Sequence, residues 1–201
     1  YTAEAGELWS YQYGSKTYLI GGVDADTGRD FQIELNGLFR FDSTSFIGVS
    51  HNPRWTSGSD TLVGAELGDT LNGGSGNDVL TGAGGRDLLT GGAGADRFVW
   101  QAISESGTTM STRDTVTDFQ PGDLLDLSAI DANTVTGGLQ DFTFAGLVEA
   151  ANAGTLAAGQ VSYHQYGGNT YVNLSVDGDN MRDMSIELTG LKTLLASDFI
   201  L

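Results

Sequence analysis

The sequence predicts an all-β fold: a parallel β-roll built on nonapeptide repeats, capped by antiparallel or β-sandwich strands. Three observations predict it. Asp60, Asp69, Asp78, Asp87 and Asp96 fall nine residues apart, and Leu62, Leu71, Leu80, Leu89 and Phe98 keep the same step. Gly supplies 30 of 201 residues and Pro only 2, too much glycine for a helical domain and too little proline for a disordered linker. Beyond the repeats, apolar and polar residues alternate with the period of a half-buried strand.

Charge narrows the function. Nine Lys and Arg stand against 26 Asp and Glu, a net charge of −17. Such a chain repels nucleic acid and anionic lipid and attracts cations. No apolar run approaches the roughly 18 residues of a membrane-spanning helix. Cys is absent, which excludes disulfides, zinc–thiolate sites and cysteine nucleophiles. The chain opens on Tyr1 without a leader-like segment and reads as part of something longer.

The first element, residues 1–54, is read as the tail of a preceding tandem module. Residues 6–47 align without gaps to residues 159–200 at an offset of 153, with 18 identities in 42 positions. Both copies read as β-hairpins. In the second, Val172, Leu174 and Val176 alternate, then Met184, Ile186 and Leu188, across a turn at Asp177-Gly178-Asp179-Asn180. That acidic turn lacks the full spacing and terminal Glu of an EF-hand loop; it reads as a turn, or else as a weak extra cation site.

The second element, residues 55–99, holds the nonapeptides WTSGSDTLV, GAELGDTLN, GGSGNDVLT, GAGGRDLLT and GGAGADRFV. The third and fifth match GGxGxDxUx, a calcium-binding β-helix repeat; the others are decayed copies. A three-residue strand carries one apolar side chain inward, and six residues, several at positive φ, reverse the chain. Two repeats make one coil, so Asp stacks on Asp about 4.8 Å apart. Bare carboxylates at that spacing repel, and a hard dication between them reverses the sign. Ca2+ takes six to eight oxygens in flexible geometry, whereas Mg2+ demands a strict octahedron and keeps its water.

The third element, residues 100–201, caps the roll. Asp114, Asp118, Asp123 and Asp126 follow the last repeat closely and read either as turn-forming acids or as groups completing cation shells. Gln120-Pro121-Gly122-Asp123 is a turn, and Leu124, Leu125 and Leu127 begin a buried strand. Residues 147–158 are the one candidate for a helix or flexible loop. No catalytic motif is found: H-E-x-x-H, G-x-S-x-G and phosphate loops are missing, and His51 and His164 read as loop and packing residues. The reading is non-enzymatic.

The nonapeptides resemble the RTX (repeats-in-toxin) β-roll of proteins exported by type I secretion. The stretches DTVTDF, GDLLDLSAI and SIELTG…ASDFIL resemble the C-terminal module of serralysin-type metalloproteases, across residues 55–201. The stretch TYLIGGVDADTGRDFQIELNG is similar to the regulatory modules of secreted mannuronan C5-epimerases, which repeat in tandem. The resemblance implies a ligand scheme of turn carbonyls and Asp carboxylates from coils two repeats apart. One site then uses Thr56, Gly58 and Asp60 with Gly73, Ser75 and Asp78. A second uses Ala65, Leu67 and Asp69 with Gly82, Gly84 and Asp87, although Leu67 stands where the family has Gly. A third uses Gly74, Gly76 and Asp78 with Gly91, Ala93 and Asp96. The upper turns Ala83, Gly85, Asp87 and Gly92, Gly94, Asp96 take outside partners, Asp114 or Asp118. About three to five calcium ions follow from this scheme.

The terminal Asp198-Phe199-Ile200-Leu201 resembles an uncleaved type I secretion signal, and the same residues also suit a closing strand. The expected function is a calcium-binding, secreted, extracellular module that folds on calcium binding and assists export of a parent enzyme. Its partners are then calcium and the type I secretion machinery. The alternative is a module binding an acidic polysaccharide of the alginate type. Its candidate contacts are Arg29, Arg40, Arg54, Arg86, Arg97, Arg113, Arg182 and Lys192, with Tyr13, Tyr18, Tyr166 and Tyr171 as stacking platforms; Arg29 and Arg182 equally suit hairpin ion pairs, and the tyrosines better suit core or strand-face packing.

Overall fold

One apolar side chain every nine residues dictates a flattened coil with two walls. The computed structural model describes residues 8–13, 16–21, 31–36, 58–149 and 156–201. The chain divides into two units, Tyr1–Trp55 and Thr56–Leu201.

In the first unit, β1 (Leu8–Tyr13), β2 (Lys16–Gly21) and β3 (Phe31–Asn36) form a three-stranded antiparallel sheet. Tyr11 faces Tyr18, Tyr18 faces Glu34, and Lys16 forms an ion pair with Glu34.

In the second unit the repeats wind alternately between two walls. β4 (Thr61–Val63), β6 (Val79–Thr81) and β8 (Arg97–Val99) build one; β5 (Thr70–Ser75) and β7 (Leu88–Ala93) build the other. β9 (Asp114–Val116) and β10 (Leu124–Asp126) add one strand to each wall. Every neighbouring pair among these strands is parallel. The coil advances by 18 residues through the repeats, as in the hydrogen bond from Asp60 to Asp78, then by 27 residues in the last coil, as from Asp87 to Asp114. β5 and β7 are twice the length of the three-residue strands expected, because their glycine turns stay in register: Gly74 pairs with Gly92 and Ser75 with Ala93.

The inward residues stack into two apolar columns. Leu62, Leu80, Phe98 and Leu125 pair in succession along one wall, and Leu71, Leu89 and Val116 along the other. All are buried. Each is worth about 1.5–3 kcal/mol on leaving water.

The cap extends both walls. β11 (Thr143–Leu147), β12 (Gln160–Tyr166), β13 (Asn169–Ser175) and β14 (Met184–Leu188) continue the second wall, with β14 parallel to β9 and β12–β13–β14 antiparallel. β15 (Phe199–Ile200) pairs in parallel with β10 and closes the first wall. The result is a five-stranded and a seven-stranded sheet. Val172, Leu174, Met184, Ile186 and Leu188, the alternating residues of the hairpin, are all buried. β1–β3 and β12–β14 share one register: Tyr11 opposite Tyr18 corresponds to His164 opposite Tyr171 at the offset of 153. Where Lys16 meets Glu34, Asn169 donates to Glu187 at 2.7 Å.

The strand β11 is absent from the sequence-based expectation; it ends at Leu147, where the helix or loop expected over 147–158 begins, and 150–155 lie outside the described residues. The helical structure among the described residues is limited to single 3₁₀ turns at Ile103–Glu105 and Ala196–Asp198, and no helix there is long and apolar enough to cross a membrane.

Candidate metal centre

Nine-residue spacing places the aspartates on the two edges of the roll as two ladders. On one edge the backbone N–H of Asp60 donates to Asp78 Oδ1 at 2.7 Å, that of Asp78 to Asp96 Oδ1 at 2.9 Å, and that of Asp96 to Asp123 Oδ1 at 2.9 Å. On the other, Asp69 N–H donates to Asp87 Oδ1 at 2.8 Å and Asp87 N–H to Asp114 Oδ1 at 2.9 Å. Every rung uses one carboxylate oxygen to hold the coil beneath it.

The second oxygens separate the ladder into two classes. Oδ2 of Asp78, Asp87 and Asp96 is buried and has no hydrogen-bond partner. Each sits against the first glycine of its own turn: a Cβ on Gly73, Gly82 or Gly91 would collide with the Oδ2 of Asp78, Asp87 or Asp96. A buried carboxylate oxygen without a donor is costly, so these positions call for a partner. Burial, reinforced by Asp114, Asp69 and Glu105 nearby, pushes Asp87 up to about 7 even against the Asp69 hydrogen bond. Asp96 is raised for the same reason, with Asp123, Asp78 and Asp118 adding to it. Hard oxygen donors, buried negative charge and a first turn position without Cβ fit a hard divalent cation.

The terminal rungs differ. Asp114 Oδ2 accepts the indole N–H of Trp100 at 2.8 Å, and Asp123 Oδ2 accepts the backbone N–H of Gln120 at 2.9 Å. Burial raises Asp114 to about 6 and also raises Asp123.

The turn backbones repeat. Gly74, Ala83 and Gly92 at the second position have φ of 92°, 63° and 98°; Gly76, Gly85 and Gly94 at the fourth have 127°, 120° and 142°. The structure brings the residues of the third expected site together: Gly74 and Gly76 lie directly beneath Gly92 and Gly94, with Gly91, Ala93 and Asp96 in that same turn above Asp78. For the first expected site, Gly58 lies against Gly76, and Gly73, Ser75 and Asp78 form the upper half; Thr56 lies outside the described residues. The second is irregular. Leu67 is not in the left-handed region that Gly76, Gly85 and Gly94 adopt, and Asp69 Oδ2 is taken by the Ala65 N–H at 2.7 Å. Gly82, Gly84 and Asp87 keep their half of the site, and the Glu66 carboxylate reaches Gly84.

Asp114 continues the ladder above Asp87, but above Asp96 the rung is Asp123. Asp118 instead accepts the N–H groups of Gly91 and Gly92 at 3.0 and 2.8 Å. Asp126 forms an ion pair with Arg97 and accepts from Ser128. The sequence did hold a signal for Asp123: 87 to 114 and 96 to 123 are both 27 residues, three nonapeptide steps. Nothing in the sequence pointed to Trp100, Gln120 or Glu66. Asp177, Asp179 and Asp183 lie within ligating distance of one another at the hairpin turn. Each also accepts a backbone N–H, from Asp179, Met181 and Val176 respectively, as turn residues do.

Residues 57–201 match the family described as peptidase M10 serralysin C terminal. Among solved structures, the AlgE6R3 subunit of a mannuronan C5-epimerase from Azotobacter vinelandii is 27% identical, covering 77% of this chain and 85% of that one, with a TM-score of 0.30. The AlgE6R2 subunit of that epimerase is 26% identical over 72% of this chain and 88% of its own, with a TM-score of 0.37. The extracellular lipase LipA of Serratia marcescens is 16% identical over 100% of this chain and 32% of its own, with a TM-score of 0.36. No curated protein matches the chain. Two walls of nonapeptide strands, two aspartate ladders and a family match over the whole second unit lead to one conclusion: the chain belongs to the serralysin C-terminal family of RTX-type calcium-binding β-roll modules.

Proposed function

We propose that this module is a non-catalytic, calcium-dependent folding unit of a type I-secreted extracellular protein, which it stabilises and helps to export. The supporting observation is the row of buried, donorless Oδ2 atoms on Asp78, Asp87 and Asp96. These three carboxylates, with the turn carbonyls around Gly58, Gly73, Gly74, Gly76, Gly82 and Gly91, would hold the ions. Bound calcium supplies positive charge and an oxygen-seeking shell. The chain's own part is to stack acids that repel one another and to bury them. Where calcium is scarce, as inside a cell, that repulsion and desolvation oppose folding. Where it is abundant, binding energy becomes folding energy. Export fits the same logic: Phe199, in the signal-like terminal tetrad, is buried and paired with Leu125, while Asp198, Ile200 and Leu201 stay partly exposed, so folding withdraws the central aromatic of the tetrad from solvent.

The test is far-UV circular dichroism of the chain in EGTA during calcium titration, with magnesium as control. The expected result is a cooperative gain of β signal with calcium alone. A full β spectrum in EGTA, unchanged by calcium, would overturn the proposal.

A second reading, an acidic polysaccharide as partner, is favoured by one feature. The Arg113 guanidinium lies 4.7 Å over the Tyr171 ring, which stacks on His164 at 5.1 Å. Arg113 is buried and its Nε has no partner. Burial lowers its pKa, the Glu187 carboxylate opposes that, and Arg182 and Arg86 also act on its charge; no ion pair to any of the three arginines is found among the described residues. Burial first, then Arg182 and Arg113, holds His164 below its ordinary value. Arginines beside stacked rings suit carboxylates carried on sugar rings. Calorimetry with oligoguluronate and oligomannuronate in saturating calcium should detect binding that Arg182→Ala weakens about tenfold, while neutral cello-oligosaccharides give none. Equal heats for all three sugars would remove this reading.

A further inference from the structure

The turns of the third and fifth repeats have the same backbone, yet they meet different neighbours. The carbonyls of Gly74 and Gly76 point at the glycines of the next coil, and a Cβ on Gly92 or Gly94 would strike them. No glycine turn follows the fifth repeat. In its place the Gln120 side chain spans the turn: Nε2 donates to the Gly92 carbonyl at 2.7 Å and reaches the Gly94 carbonyl at 3.4 Å. These are two of the three groups expected to hold an ion in the last turn. The backbone of Gln120 completes the arrangement by donating to Asp123 Oδ2, so the rung above Asp96 lacks the open oxygen of the rungs below. Asp118 occupies both N–H groups at the start of the turn.

We propose that the Gln120 carboxamide is a built-in substitute for a cation at the last turn, an inference that rests on the calcium reading above. A carboxamide offers two N–H donors from one atom and can gather two carbonyls as an ion does, without charge. The last coil is 27 residues long, which supplies the chain length for Gln120 to fold back over the turn. Trp100 plays the matching part on the opposite edge, its indole N–H filling the open oxygen of Asp114. The roll thus ends in rungs satisfied by the protein, and the number of ions is set by the turns beneath them.

The test is native mass spectrometry of the calcium-loaded module, read as ions per chain, with thermal unfolding alongside. Gln120→Glu puts a carboxylate on the two carbonyls and is expected to carry one ion more than wild type. Gln120→Ala is expected to keep the wild-type count and to unfold at a lower temperature in saturating calcium. Two results would overturn the proposal. One is Gln120→Ala carrying one ion fewer, which makes Gln120 Oε1 a calcium ligand. The other is an unchanged count in both variants with an unchanged midpoint in Gln120→Ala. Should Gln120→Glu fail to fold, the count and midpoint of Gln120→Ala decide alone. A wild-type chain carrying no calcium would instead defeat the underlying reading, and a lower midpoint of Gln120→Ala in EGTA would then still distinguish a clasping amide from an idle one.

Discussion

Ala83 shows how strictly the turn geometry acts on single residues. It holds the second position of its nonapeptide at φ 63°, where Gly74 and Gly92 stand in the neighbouring repeats. A Cβ in the left-handed region costs about 1–2 kcal/mol. Ala83→Gly removes that strain and returns part of it as added freedom of the unfolded chain. The expected net gain is about 1 kcal/mol, seen as a lower calcium midpoint for folding and a higher melting temperature. A loss of stability would mean that the Ala83 methyl group is a packing contact. Leu67 is the opposite case: its side chain takes the fourth position without the positive φ, and the turn reorganises so that Ala65 satisfies Asp69. Composition reveals that the repeat has decayed. Which atom then fills the carboxylate depends on the local backbone path.

The aspartate ladder joins each coil to the next and carries the buried carboxylates, so it is the element that titrates. Burial raises Asp87 to about 7 and Asp114 to about 6, above the roughly 3.9 of an unfolded aspartate. Between about 4 and about 7 the folded ladder therefore holds more protons than the unfolded chain, and stability rises as pH falls through that window. In calcium-free buffer, lowering pH from 8 to 5 should increase the β signal in circular dichroism. Asp87→Asn, neutral at every pH, should flatten much of that profile. A wild-type signal independent of pH would show that these carboxylates remain ordinary. With calcium present, the proton competes for Asp87 Oδ2, so calcium affinity should weaken over the same interval.

Across the whole molecule, periodicity alone specifies the roll. One apolar residue and one Asp per nine positions leave few ways to bury the first and stack the second, and the columns Leu62–Leu80–Phe98 and Leu71–Leu89 follow. It also determined the hairpin cap, because Val172, Leu174, Ile186 and Leu188 alternate with a period of two. It did not determine how the roll ends. The step from 18 to 27 residues, the parallel docking of β14 on β9 and of β15 on β10, and the placing of Trp100 and Gln120 on the terminal rungs all join residues far apart in the chain. A repeat announces itself through periodicity, which is local. Its termination is a set of single contacts, such as the Trp100 indole on Asp114 or the Gln120 amide on Gly92, and only the tertiary structure decides which donors arrive there.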